Sequence, residues 1–200
     1  MGKKLKKIDL HMHTVPTISD AHFDFSLEKL EEYVKKAELD AIAITNHDVF
    51  DLAQFREIDK ALDCVVFPGI EINLAKGHIL LISENEHLDE FQIKTQAVTE
   101  KIKVIGDFIS VDELFHIFGD LNKYLLIPHY EKKPSISRQT IGQMGEFISA
   151  GEVDSPKKFI RLAKDDTELT PVLFSDVRIR EGMRKFPSKQ TYIDLSLIHI

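Results

Sequence analysis

Along the chain, short apolar runs that end in a polar or ionisable residue alternate with stretches whose apolar positions recur every three to four residues. In the first run, read with period two, Ile8, Leu10 and Met12 fall on one face of a strand over 6–13, and Asp9, His11 and His13 fall on the other. A helix follows from about Leu27. Ser26 caps it, Leu27, Leu30, Val34 and Ala37 form its apolar stripe, and Glu31, Glu32, Lys35 and Lys36 lie outside. Ala41–Thr45 is almost wholly apolar, as in a parallel strand covered on both faces, and ends in Asn46-His47-Asp48. A second helical pattern covers 51–62, and a third strand opens at Cys64 and runs through Gly69-Ile70-Glu71 to Asn73. His78–Ile82 reads as the next strand, whereas 84–109 shows no decisive period and is assigned no element. Ser110 and Glu113 form a capping box ahead of Leu114, Phe115, Phe118 and Leu121. Tyr124–Pro128 is a further strand closed by His129. A helix over 137–149 ending at Gly151, a strand and helix at 152–165, a strand over 171–176 and one over 191–200 complete the pattern.

Strands alternating with helices, with polar residues at strand ends, predict a β/α barrel whose active site lies at the carboxyl ends of its strands. Seven or eight strands in 200 residues is short of the roughly 250 usual for the eight-fold barrel. A smaller or irregular barrel forming a single domain over 1–200 fits better. The net charge of −7 argues against holding nucleic acid by bulk electrostatics, but ligands grouped around divalent cations still leave a locally positive pocket. Cys64 is alone, which rules out an intramolecular disulfide. No apolar run has transmembrane length or a signal-peptide pattern, so the chain reads as cytoplasmic with no membrane partner. Lys3, Lys4, Lys6 and Lys7 read as a solvated lead-in to the first strand. The chain stops within the apolar segment 195–200, an ending compatible with the amino-terminal part of a longer protein with an additional C-terminal domain.

The chemistry gathers on one predicted rim. His11, His13, His47, Glu71, His78, His129 and Asp176 each sit at or near a strand end. A lone histidine there is more often structural, but seven such groups on one rim point to metal ligation. Imidazole and carboxylate without cysteine suit zinc, manganese or iron. Glu71 is the carboxylate best placed to bridge two cations, an arrangement that activates water and clamps a phosphoryl group.

Asp9-Leu10-His11-Met12-His13-Thr14, Ile44-Thr45-Asn46-His47-Asp48, Gly69-Ile70-Glu71, Pro128-His129 and Ser175-Asp176 resemble, in order along nearly the whole chain, the successive motifs of the PHP (polymerase and histidinol phosphatase) domain. The resemblance implies a distorted (β/α)7 barrel that binds two to three divalent metal ions and hydrolyses phosphoesters. It implies that His11, His13, Glu71 and Asp176 hold a first metal and Glu71, His78 and His129 a second, and that Asp20 and His47 belong to a third, with His22 as the fallback for Asp20. Where the family closes its last motif with Asp-x-His, this chain has Asp176-Val177-Arg178. Arginine stays protonated and cannot ligate. The third site is therefore weak or empty, or the Arg178 guanidinium binds the phosphate directly. A two-metal centre with Arg178 as phosphate anchor is the hypothesis carried forward.

His47 or Asp48 is placed to assist proton transfer, although a capping or supporting role suits Asp48 equally. Lys132, Lys133 and Arg138 follow His129 on the same rim and are candidates for substrate binding, unless the loop is simply an exposed charged one. Asp9 reads as an orienter of a histidine. His87, His116 and His199 lack a partner pattern. Three functions compete: a phosphoesterase acting on a phosphorylated small molecule or on a nucleotide or nucleic-acid phosphodiester; a related barrel amidohydrolase or deoxyribonuclease; and a degenerate, non-catalytic domain with a structural or regulatory role.

Overall fold

The computed structural model describes residues 5–165 and 168–193. Strands β1 (Lys6–His13), β2 (Ala41–Ile44), β3 (Val65–Leu74), β4 (Gly77–Ile82), β5 (Leu125–Glu131), β6 (Ala150–Val153) and β7 (Thr170–Val172) are interleaved with helices α1 (Leu27–Ala37), α2 (Leu52–Ala61), α3 (Leu88–Lys101), α4 (Val111–Phe118), α5 (Arg138–Met144) and α6 (Pro156–Lys164). Short strands β8 (Val177–Arg178) and β9 (Thr191–Ile193) complete one sheet in the order β7-β6-β5-β4-β3-β2-β1-β8, with β9 against β1. The sheet curls into a distorted α/β barrel. After β7 the chain itself spans the gap to β1: the Ser175 amide donates to Asp9 Oδ1 at 3.0 Å and the Asp176 amide to the His11 carbonyl at 2.9 Å.

Side-chain alternation sorts the core into two layers. Ala41 and Ala43 join Ile8, Leu10, Leu80 and Ile127 in a cluster to which no helix contributes, the barrel interior. Ile42 and Ile44 point the other way, into the larger cluster with Leu30, Tyr33, Phe55, Phe91 and Leu114 from the helices. Local chemistry fixes the helix starts: the side chains of Ser26 and Asp51 cap α1 and α2, and the Ser110–Glu113 box caps α4.

Strict alternation fails in β1. Ile8 and Leu10 face the interior, but Met12 lies in the helix-side cluster. Against β2 the ladder advances from Asp9 to Met12 while its partner moves only from Ile42 to Ile44, so β1 carries one extra residue. Such a bulge re-aims side chains. Ahead of it Asp9 alternates with Ile8 and Leu10 and faces the helices, where it accepts from the Tyr33 hydroxyl at 2.6 Å, and beyond it His11 and His13 lie on the interior side, opposite Met12. Asp9 therefore does not share the histidine face. Its other partners are backbone amides, of Ser175 at 3.0 Å and His11 at 3.5 Å.

Strand β4 runs antiparallel to both β3 and β5. The Ala75-Lys76 turn before it has φ of 48° and 69°, the left-handed pair of a tight hairpin. The reversal brings His78, at the start of its strand, beside the end of β3 and onto the same rim as the other strand ends.

Element boundaries differ from the sequence pattern in four places. Segment 84–109, given no element, contains α3, which buries Phe91, Thr95 and Val98. Helix α5 stops at Met144, short of 149, because the chain turns at Gly145 with φ 25°. Strand β6 begins at Ala150 rather than 152, and β7 ends at Val172, so that Asp176 (φ 54°) lies in a loop rather than at the end of a strand over 171–176. Of the strand expected over 191–200, Thr191–Ile193 forms β9. The rest lies outside the described residues, as do Lys3, Lys4 and His199. Among the described residues, no helix is long and apolar enough to cross a membrane.

Candidate metal centre

Strand β3 carries Glu71 into the middle of the rim, where its side chain is 1% exposed. Five imidazoles converge on its carboxylate. His11 Nε2, His13 Nε2 and His47 Nδ1 lie 3.0, 3.4 and 3.0 Å from Oε2. His78 Nδ1 and His129 Nε2 lie 2.6 and 3.2 Å from Oε1. The neighbouring loops are pinned by side chains in turn: Asn46 Oδ1 accepts from the amides of Thr14 and Val15 at 2.7 and 2.9 Å, and Thr45 Oγ1 accepts from the Met12 amide at 3.2 Å.

Among the described residues, four groups bring ligand atoms within 4.8 Å of one another: His11–His13–Glu71–Asp176, His47–Glu71–His78, His13–Asp20–His47 and His11–His129–Glu152. The first is the set that the resemblance implies for one ion. The set implied for the second, Glu71–His78–His129, meets pairwise on Glu71 Oε1. Buried His47 Nδ1 and His129 Nε2 approach Glu71 yet have no partner in hydrogen-bond geometry. An unpartnered buried nitrogen is costly, and a divalent cation accepting its lone pair removes that cost. The residues thus fit metal ions.

The electrostatics of the centre are those of crowded carboxylates. Burial pulls the His11 imidazole down, but the Glu152 and Glu71 charges outweigh it and raise it to about 10. Burial lowers His13 and takes His47 down to about 3. Glu71, Glu152 and Asp176 are held below the carboxylate range, because the His11 charge and hydrogen bonds, together with Lys132 at Glu152 and Asp176, overcome the penalty of burial.

Two side-chain cations stand among these ligands. Arg178 Nε donates to Asp20 Oδ1 at 2.9 Å, Nη2 lies 3.0 Å from His47 Nε2, and Nη1 bonds Asp176 Oδ1. The guanidinium therefore sits on the His13–Asp20–His47 group. Lys132, a candidate for substrate binding on the loop after His129, is buried among the candidate ligands rather than lying on an exposed charged loop. Its Nζ is 2.8 Å from Glu152 Oε1 and 3.0 Å from Asp176 Oδ2. The loop after β5 folds back to put it there: the Ile136 amide donates to the His129 carbonyl at 2.9 Å, and the His78 amide to that of Pro134 at 3.2 Å.

Glu152 was not singled out in the sequence. It is fully buried on β6, and its Oε2 lies 2.8 Å from His11 Nδ1, the contact that turns His11 Nε2 toward Glu71. The sole signal was a lone carboxylate in the strand Ala150-Gly151-Glu152-Val153. Asp48 Oδ1 accepts from the Asn73 amide at 2.8 Å, which ties it to β3, and burial pushes its carboxyl up to about 7. The Asp20 side chain is buried in the group, whereas His22 is exposed and pairs with Asp24 at 3.4 Å. Lys133 and Arg138 are exposed, and the structure does not bring them to the centre. Asp20, Asp176 and Arg178 also line a cavity of about 800 Å³ shared with the segment 180–187.

No protein-family model matches the chain, and no curated protein matches it. Among solved structures it is similar to PsfC from Pseudomonas syringae, with 17% identity over 86% of this chain and 76% of that one and a TM-score of 0.54. A two-domain protein from Bacteroides vulgatus, described as containing a predicted PHP-like metal-dependent phosphoesterase, matches at 18% identity over 88% of this chain, with a TM-score of 0.47. This chain spans 53% of its length. A candidate metal-dependent phosphoesterase from Bifidobacterium adolescentis matches at 12% identity over 85% of this chain and 87% of its own, with a TM-score of 0.45. At these identities the likeness is one of fold, and the PsfC match carries it.

Proposed function

We propose that this protein is a metal-dependent phosphoesterase whose divalent ions, zinc, manganese or iron, occupy two subsites that share Glu71. The observation that carries the reading is the convergence of five imidazoles on that buried carboxylate, two of which, His47 and His129, turn an unpartnered nitrogen toward it. The order of the motifs along the chain supports the same reading. When bound, the ions supply an activated water at neutral pH and positive charge for the phosphoryl oxygens. The protein's own groups do the rest. Glu152 holds the His11 ring by Nδ1, so that Nε2 faces Glu71 and would be free to hold an ion there. Arg178, whose side chain is 32% exposed beside the cavity, anchors the phosphate. The substrate is a phosphorylated small molecule or a nucleotide or nucleic-acid phosphodiester, and the setting is cytoplasmic.

One observation favours a second reading, a non-catalytic domain that steadies a partner: Lys132 and Arg178 already neutralise two groups of candidate ligands. Elemental analysis of protein purified without chelator, run beside a manganese-supplemented screen of a phosphomonoester, a phosphodiester and an amide, separates the readings. Bound metal with ester turnover supports the phosphoesterase. Amide turnover alone supports an amidohydrolase, and neither metal nor turnover supports the non-catalytic domain.

A further inference from the structure

The cavity beside the metal centre continues outward along the segment after β8. From Arg178 to Lys189 this segment holds five basic residues and a single acid, Glu181, in a chain whose net charge is −7. Arg178 is tied to Asp20 and Asp176, and the Lys189 ammonium donates to the Asp154 carbonyl at 2.9 Å. Arg180, Arg184 and Lys185 are not held in this way. They line the cavity and are exposed, and among the described residues they form no ion pair with Glu181 or with any other acid. Uncompensated like charges at one cavity repel each other, and a negative ligand relieves that repulsion. The loop that holds them together is fixed by its apolar residues. Ile179 is fully buried, and its amide donates to the His13 carbonyl at 2.9 Å. The Glu181 amide donates to the Asp24 carbonyl at 2.9 Å, and Gly182 turns the chain with φ 67°. Met183 and Phe186 pack against the helix-side core, with Phe186 stacked on Tyr33 at 5.5 Å between ring centroids. With Ile179 turned to the core, Arg178 and Arg180 both face the cavity, roughly 6–7 Å apart along an extended backbone. One cation thus stands at the candidate ligands, and the others stand farther out in the same space. Its volume of about 800 Å³ is that of a small-molecule site.

We infer that Arg180, Arg184 and Lys185 form an outer anion subsite, and that the substrate is a small phosphoester carrying a second negative group, a phosphate or a carboxylate, beyond the scissile phosphate. The inference rests on the phosphoesterase reading, in which the metal centre and Arg178 take the scissile group. Guanidinium forks match either kind of oxyanion. A phosphoester with no second charge leaves the three outer cations unmatched.

The test is binding, measured by calorimetry on manganese-loaded protein with three non-hydrolysable probes. Propylphosphonate carries one anionic group, phosphonopropionate adds a carboxylate, and trimethylene diphosphonate adds a second phosphonate. The wild type is expected to bind at least one of the two-anion probes about 10-fold more tightly than propylphosphonate, and the tighter of the two tells which second group the subsite takes. In the double variant Arg180→Gln/Arg184→Gln that preference is expected to fall below about threefold. Lys60→Gln, which removes a charge from exposed α2 outside the cavity lining, is expected to keep it. A wild type that binds all three probes alike, or none, overturns the inference. So does a preference that survives in the double variant or disappears equally in Lys60→Gln. Ester turnover by the same metal-loaded wild type is scored separately. Turnover without the preference overturns the outer subsite alone, and the preference without turnover supports the subsite while overturning the phosphoesterase reading.

Discussion

At the scale of single residues, Glu71 and its two neighbours in charge set the behaviour of the centre. Its carboxylate offers one oxygen to three imidazoles and the other to two, so a neutral amide at this position removes the shared ligand of both proposed ions. Glu71→Gln is expected to lower the metal content to at most one ion and turnover by about 100-fold or more. Glu152→Gln acts one step further out, through His11, and is expected to weaken metal affinity about 10- to 100-fold, measured by competition with a metal indicator. Arg178→Ala is expected to raise KM for a phosphoester by about 10-fold, the loss of one charged hydrogen bond. Unchanged turnover and KM would remove Arg178 from substrate binding. The positions of His11, His13, His47, Glu71 and His129 were legible in the sequence because each lies at or near the end of an apolar run, and that of His78 because it opens one. Lys132 was named only alongside its exposed neighbours Lys133 and Arg138 in a charged loop, and Glu152, a single acid in a four-residue strand, was not named at all. Nothing in their spacing tells which side chain turns inward.

At the scale of elements, the approach of the Lys132 loop to the β3–β4 hairpin depends on Gly77. A Cβ there would lie 2.7 Å from the Ile136 amide nitrogen and 2.8 Å from its Cα, backbone atoms that cannot swing aside. Gly77→Ala is expected to cost about 1–3 kcal/mol and to weaken metal binding by displacing the loop, seen in thermal melts and metal titration. The Ser110–Glu113 box is a cap of ordinary size. Ser110→Ala is expected to cost about 1 kcal/mol. Glu113 is held down to about 2 by its bonds to Lys101 and the Ser110 amide. A depressed carboxylate stabilises the fold above its ordinary pKa, and that contribution is lost as pH falls from the usual range toward 2. Glu113→Gln should therefore flatten the acid limb of stability in that window, by a small amount because the group is exposed. This box was readable from four residues, whereas the bulge in β1 was not. Period-two reading assumes a ladder without insertions, and the extra residue arises from register against β2. The antiparallel course of β4 was hidden for a related reason: Ala75-Lys76 lacks the Asn-Gly chemistry that usually announces a tight hairpin.

At the scale of the whole molecule, the barrel concentrates acidic ligands in a chain already carrying −7. Ions that bind the folded state alone stabilise it by mass action, about 2.7 kcal/mol at a hundredfold excess over Kd. At about 2–4 °C per kcal/mol for a chain of this size, chelator is expected to lower Tm by several degrees, and manganese or zinc to restore it. The barrel class was legible from the alternation of strands and helices. Its closure was not, since the chain after β7 reaches β1 through the Ser175 bond to the Asp9 side chain and a ladder of only two residue pairs, Met12–Val177 and His13–Arg178. The most direct test of the central claim is hydrolysis of a phosphomonoester and a phosphodiester by the wild type and by Glu71→Gln, with metal content measured on the same samples. Turnover that requires metal in the wild type and disappears with the ions in Glu71→Gln is the predicted result. A fully metal-loaded wild type that hydrolyses neither ester, or a Glu71→Gln variant that matches it, would contradict the account.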